Sequence, residues 1–236
     1  MFGATVFGVI MGLFVIWLSL PFSPQMCGKR ITHIKTKEKV VALTFDDGPN
    51  PPTTNEILAV LKKHNVPATF FVVGKQAEQH PDMIKAIYTA GHELGNHTWS
   101  HEVLICKSAS YIRKEITDTD NLLRSLGYTG PIHFRSPKGM KLVVLSKVLA
   151  HMKRNNILFD VAGYDWEKPG TKAIVNNVLS QALMHVRPGS IILLHDGSCS
   201  DKKEVVNACD IIIERLQQRG YKFLRISELL AKRKIK

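Results

Sequence analysis

From residue 40 onward the chain alternates short β-like runs with amphipathic helical stretches, and this alternation most restricts what it can fold into. The strand candidates are 40–45, 68–73, 92–95, 132–135, 157–161, 191–195 and 222–226. Helical stretches are read at 54–64, 109–126, 142–154, 171–186 and 202–219, with apolar residues clustered on one face. Gly91, Gly127, Gly220 and Pro67 stand where such helices should stop. Seven strands alternating with helices predict a parallel α/β sheet. A closed or nearly closed barrel and an open doubly wound sheet both fit. A dinucleotide-binding version is excluded, because the first strand runs into TFDDGPNPP, with two carboxylates and no glycine cradle. The expected organisation is an N-terminal apolar segment (1–28), a basic linker (29–37), one α/β domain (38–231) and a basic tail (232–236).

The charge pattern narrows the partners. Of the formal net charge of +12, +4 lies in 29–39 and +4 in 232–236, leaving +4 on the body. Basic ends with a nearly balanced body, and no zinc-finger or RNA-recognition signature, argue against nucleic acid. They suit an anionic membrane or wall. Residues 1–28 hold no charged side chain, and 2–22 is long and apolar enough to span a bilayer. It lacks a basic leader and a good cleavage site, so an uncleaved anchor is favoured over a secretory signal. An anchored, extracytoplasmic domain is expected. The basic cluster after the span pulls the other way, toward the cytoplasmic face. Secretion after cleavage is the third arrangement. Cys27, Cys106, Cys199 and Cys209 are too few to define a disulfide framework, and free thiols are expected.

The polar residues with chemical potential fall at strand ends: Asp46 and Asp47 after the first strand, His97 and His101 after the third, then Arg135, Asp165 and His195. In parallel barrels that face builds the active site. Consecutive residues leaving a strand point in opposite directions, so one aspartate can reach a metal while the other faces substrate. In NHTWSH the two histidines stand at i and i+4, and a helical turn would put both imidazoles on one face. With Asp47 the set is two histidines and a carboxylate, the composition of a catalytic zinc site with an open position. A divalent cation there lowers the pKa of water from 15.7 to about 7. His195, in IILLHDG, suits a general acid, and Arg135, in FRSPKG, can grip a carboxylate.

TFDDGP (44–49), HTWSH (97–101), RSPKG (135–139), DW (165–166) and LLHD (193–196) together resemble, in order and spacing, the motifs of the polysaccharide deacetylases. This is the NodB homology domain, carbohydrate esterase family 4. The resemblance covers roughly 38–230. It implies a distorted (β/α)7-type barrel and metal-dependent removal of acetyl groups from an amino-sugar polysaccharide. It implies that Asp47, His97 and His101 bind the metal, usually zinc. Asp46 would be the general base, oriented by Arg135, and His195 the general acid, tuned by Asp165. Pro137, Lys138, Trp166 and Leu193 would line the substrate site. The family usually has an aromatic residue at the position of Lys138, whose backbone N–H would serve the oxyanion. A cationic side chain there would favour an anionic sugar; a solvated lysine is the bland alternative. A lipid-linked acylated sugar at the membrane, or a non-catalytic sugar-binding relative, are the competing functions.

Overall fold

The computed structural model describes residues 30–140, 143–162, 180, 183–197 and 202–233. Their chain order opens with β1 (Arg30–Ile31), β2 (Val40–Asp46), α1 (Thr53–His64), β3 (Thr69–Val72), α2 (Gly74–Gln79), α3 (Pro81–Thr89) and β4 (Glu93–Asn96). Then follow α4 (Ala109–Ser125), β5 (His133–Phe134), a 3-10 turn (Pro137–Gly139), α5 (Val143–His151), β6 (Asn156–Ile157) and β7 (Val161–Ala162). The chain closes with β8 (Ile191–His195), α6 (Lys202–Gln218), β9 (Lys222–Phe223) and α7 (Ile226–Ala231). One sheet holds the strands in the order β1-β6-β5-β4-β3-β2-β8-β7, with β9 beside the start of β2. Every ladder pairing is parallel.

This order decides between barrel and open sheet. Five strands separate β6 from β7 along the sheet, yet only residues 158–160 join them in the chain. Three residues reach no further than ~14 Å, so the sheet must curl until its ends approach. The curl explains why the single strand expected at 157–161 is two. Leu158 N–H donates to Ile31 O at 2.7 Å, while Asp160 N–H donates to Ile191 O at 3.3 Å, so the chain changes partners within three residues. The sheet also begins before the expected domain start. The expected linker supplies β1, buries Ile31 and Ile34, and pairs His33 with Ser190 in an antiparallel bridge.

β2 sits at the centre and is buried along its whole length. Its period of two assigns its faces. Val41, Leu43 and Phe45 pack outward with Ile57 and Leu61 of α1 and Ile212 and Leu216 of α6. Val40 and Ala42 point inward among Phe71, Ile191, Ile226 and Leu229. A strand covered on both faces reads as an unbroken apolar run, which is how this one looks in sequence. α7 closes the amino-terminal end of the barrel, placing Ile226 and Leu229 in the inner cluster. Among the described residues no helix is long and apolar enough to cross a membrane. The 2–22 stretch, Cys27, Cys199 and most of the helix expected at 171–186 lie outside them; Cys106 and Cys209 are free.

One buried histidine ties stability to pH. Ala68 N–H donates to His92 Nδ1 at 3.2 Å, so the imidazole must keep a lone pair. Burial, helped by the positive charge of Arg225, lowers its pKa from 6.5 to about 4. A group depressed on folding contributes stability above its unfolded pKa and loses it as pH falls toward the folded one. His92 is therefore expected to remove roughly 2 kcal/mol of stability between pH 7.5 and pH 5. His92→Gln keeps an acceptor for Ala68 and should flatten that loss in urea unfolding; an unchanged pH slope would contradict it.

Candidate active site at the carboxyl ends of the strands

The inward face of β2 continues past Ala42 to Thr44 and Asp46, so its polar end enters the barrel mouth. Across the ladders Asp46 is level with Phe71 of β3 and His195 of β8. Register partners point to the same face, which puts a carboxylate and a half-buried imidazole on neighbouring strands at one height. Leu193, 3% exposed, lies one pair below His195, level with Thr44.

Arg135, just beyond β5, has no exposed surface. Its guanidinium donates to Asp46 Oδ1 at 2.6 Å, Thr44 Oγ1 at 2.9 Å, Ile157 O at 2.9 Å and Leu158 O at 3.3 Å. Thr44 Oγ1 can accept because its own proton goes to Ile192 O, at 2.7 Å. The guanidinium lies 4.0 Å over the Phe71 ring. Phe71 has room because β4 carries Gly95 beside it; a Cβ there would meet the ring at 2.5 Å. A buried cation bonded through all three of its nitrogens fixes Asp46 in place and leaves Oδ2 clear of the guanidinium, 3.6 Å from His97 Nε2.

Asp47 turns away from its neighbour, with φ of 73°. Its Oδ1 stands 3.0 Å from His101 Nε2 and 3.3 Å from His97 Nε2. One ligand atom from each of the three lies within 4.8 Å of the others. The two histidines meet on a loop, not on the helical turn expected from their spacing. Thr98 and His101 adopt φ of 68° and 58°, and the segment carries no helix. Asn96 Oδ1 accepts from Thr98 N–H, and Thr98 Oγ1 accepts from His101 N–H, so side chains replace the helical ladder.

The donor set fits a divalent cation. His97 Nδ1 bonds to Arg135 O at 2.8 Å, and a carbonyl only accepts, so Nδ1 carries the proton. Nε2 of the neutral ring is then a lone pair, aimed at an anionic carboxylate oxygen. Two acceptors facing each other call for a cation between them. Without a cation between them, only protonated imidazoles could serve that oxygen: burial pushes the Asp47 carboxyl up, but protonated His101 and His97 would outweigh it and hold it well below the usual carboxylate range.

A polar cleft of about 290 Å³ opens beside Asp47 and His101, with Asn50, Lys75, Gln76 and Ser100 on its walls. Pro137 is buried and Lys138 exposed on the 3-10 turn after Arg135, Lys138 with φ of 56°. That turn is braced: Asn156 accepts from Ser136 N–H and donates to its hydroxyl, which in turn donates to Met140 O. Asp165 and Trp166 lie outside the described residues.

Asp196, the last residue of LLHD, belongs to the site's frame, a place its sequence context does not mark. It is 1% exposed and accepts from Thr54 Oγ1 at 2.7 Å. Burial first, then the charges of Asp47 and Asp46, push its carboxyl up to about 7 against the pull of Thr54. Its carboxylate rests on Gly48, where a Cβ would meet it at 2.1 Å, and Gly197 rests likewise on Asp47. Thr54, Phe71 and Glu115 have no marker in the sequence; only the fold brings them to the site.

The family model for polysaccharide deacetylases matches residues 33–157, more than half of the chain. The chain belongs to this family. The peptidoglycan-N-acetylmuramic acid deacetylase PdaC of Bacillus subtilis is 37% identical over 196 residues, covering 83% of this chain and 40% of that protein. A chitooligosaccharide deacetylase of Bradyrhizobium is 36% identical over 219 residues, covering 88% of this chain and 98% of its own length. The crystal structure of the Bc1960 peptidoglycan N-acetylglucosamine deacetylase superposes with a TM-score of 0.75 at 34% identity, over 84% of this chain and 91% of that one. The fold is therefore the distorted barrel of the family, and this polysaccharide deacetylase is a hydrolase of sugar-borne amides. Its trio of Asp47, His97 and His101 could hold a metal ion.

Proposed function

We propose that the protein is a zinc-dependent N-deacetylase of an amino-sugar polymer, peptidoglycan or chitin-like, releasing acetate. The observation that carries this is the convergence of Asp47, His97 and His101 within 4.8 Å, next to an Asp46 gripped by Arg135 and level with His195. A zinc ion held by the trio supplies Lewis acidity toward the acetyl carbonyl and the attacking water. Asp46 receives the water proton on Oδ2, because Oδ1 is occupied by Arg135. His195 delivers a proton to the sugar nitrogen as the C–N bond breaks, so acetate and a free amine leave. The motif pattern alone assigns Asp165 to orient His195 and Trp166, with Leu193, to shape the pocket for the acetyl methyl. The N–H of Lys138, on its braced turn, faces the developing oxyanion.

The test is acetate release by the full chain in detergent, stripped with chelator and reloaded with zinc. It would be given acetylated chito-oligosaccharides, peptidoglycan fragments and acetylated xylan. Zinc-dependent acetate from an amino-sugar polymer supports the reading. Zinc bound with no acetate from any of them would turn the assignment to a formylated or lipid-linked sugar, which the basic cluster at 29–39 favours. A non-catalytic sugar binder is disfavoured because ligands, base and arginine are all in place. We place the domain outside the cytoplasmic membrane, tethered by the apolar stretch at 2–22.

The side chain of Lys138 adds a choice of substrate. It is exposed beside the site, and an ammonium there pairs with a lactyl carboxylate on the sugar. Lys138→Tyr is expected to lose roughly two- to fivefold more kcat/KM on muramic-acid substrates than on neutral chito-oligosaccharides, the ~0.4–1 kcal/mol of one exposed charge pair. Equal losses on both would remove the lysine from recognition.

A further inference from the structure

The loop that carries both histidine ligands holds a conformation its sequence does not favour. Thr98 and His101 are both left-handed without being glycine, and no helix or strand ladder supports residues 99–101. Such backbone persists where its surroundings over-determine it. The determining contact comes from α4. Glu115 is 7% exposed, and its Oε2 accepts from Trp99 N–H at 3.0 Å, Ser100 N–H at 2.8 Å and Ser100 Oγ at 3.0 Å. Three donors from two consecutive residues, both lying between the ligands, end on one buried carboxylate oxygen. The far side of the loop is clamped to α2, where Gly74 N–H and Lys75 N–H donate to Thr98 O and Trp99 O, each at 2.9 Å. The Trp99 ring lies where a Cβ on Gly74 would be, 2.4 Å from its nearest carbon.

We propose that Glu115 is a positioning residue for the metal site: it sets the spacing of His97 Nε2 and His101 Nε2 by holding the loop between them. This rests on the reading that the trio binds a divalent cation. Charge-assisted bonds to backbone N–H groups are well suited to the task, since they fix the main chain and not a rotatable side chain. A ligand pair held slack loses affinity for the ion well before the domain loses its fold.

The experiment titrates metal-free full chain with zinc against a chromophoric chelator, and with cobalt(II) followed by its visible absorption. The proteins are wild type, Glu115→Ala, Glu115→Gln and Leu123→Ala. Leu123 lies on the same helix, about two turns beyond Glu115, and is fully buried in the outer core, so it supplies a loss of stability alone. Glu115→Ala is expected to weaken zinc binding about 10- to 100-fold, the usual effect of removing a group that supports metal ligands. Glu115→Gln, which still offers one acceptor oxygen, should recover part of that loss. Leu123→Ala should keep the wild-type zinc affinity and cobalt spectrum even where its Tm falls as far. Zinc affinity and cobalt spectrum unchanged in a folded Glu115→Ala, or equally weakened in Leu123→Ala, would overturn the proposal. Should Glu115→Ala not fold, Glu115→Gln with wild-type affinity overturns it equally. Wild-type chain that binds neither metal would overturn the metal reading itself, a result separable from any difference between variants.

Discussion

Asp46→Asn is expected to lower kcat for acetate release about 10²- to 10⁴-fold, the range that a positioned general base supplies. The substitution is close to isosteric, and an amide oxygen at the Oδ1 position still accepts from Arg135. What disappears is the ability to hold a proton at Oδ2, and the negative charge opposite a fully buried guanidinium. The first loss is chemical and should appear in kcat with zinc occupancy retained, because Asp46 Oδ2 stands 3.6 Å from His97 Nε2 and the Asp47 trio is complete without it. The second is structural and should appear as a lower Tm. Acetate release, zinc content and thermal unfolding of one preparation check all three. A variant with full zinc and more than a tenth of wild-type kcat would take the base role away from Asp46.

Arg135→Met carries the largest expected cost in stability. Methionine fills part of the volume but donates to nothing. Asp46 Oδ1, Ile157 O and Leu158 O would each lose a buried donor. Removing one partner of a buried pair costs about 3–5 kcal/mol, mainly through the charge left behind. At roughly 2–4 °C per kcal/mol for a chain of this size, Tm should fall by ~6–20 °C. Arg135→Lys should recover little, because one ammonium cannot reach Asp46, Ile157 and Leu158 together as a planar five-donor group does. A fall below about 2 °C in Arg135→Met, in differential scanning calorimetry, would mean that the interior tolerates an unpaired Asp46 and would refute this account.

The two residues most exposed by these predictions were visible in the sequence, and the reason is covalent. Asp46 ends a strand whose seven apolar-rich residues announce themselves, and Arg135 sits in a short motif of fixed spacing. Strand ends on one face follow from parallel alternation, so the site's location was legible too. Its local geometry was not. A spacing of i and i+4 describes a helix only if the backbone is helical, and Thr98 and His101 are left-handed. β1 has two residues, too few for any periodicity, so the stretch around Arg30 read as a linker. The break between β6 and β7 depends on which neighbours the curled sheet offers, and local pattern does not encode that. Glu115 and Thr54 look like ordinary helix residues; a distance across the fold is what gives them work. Asp165 and Trp166 stand as sequence expectations, being outside the described residues.

The short strand β1 has a consequence for orientation at a bilayer. It runs parallel to the rest of the sheet, so the chain enters at the face opposite the strand ends that carry Asp46 and His195. Seven residues separate Phe22 from Arg30. The eight Cα–Cα steps from Phe22 to Arg30 span at most ~28 Å even fully extended. An apolar stretch embedded in a membrane would therefore hold the α7-plugged floor of the barrel toward the lipid, with the catalytic mouth turned outward. A headgroup of the same leaflet would lie behind the enzyme, whereas a polymer mesh above the bilayer would lie in front of it.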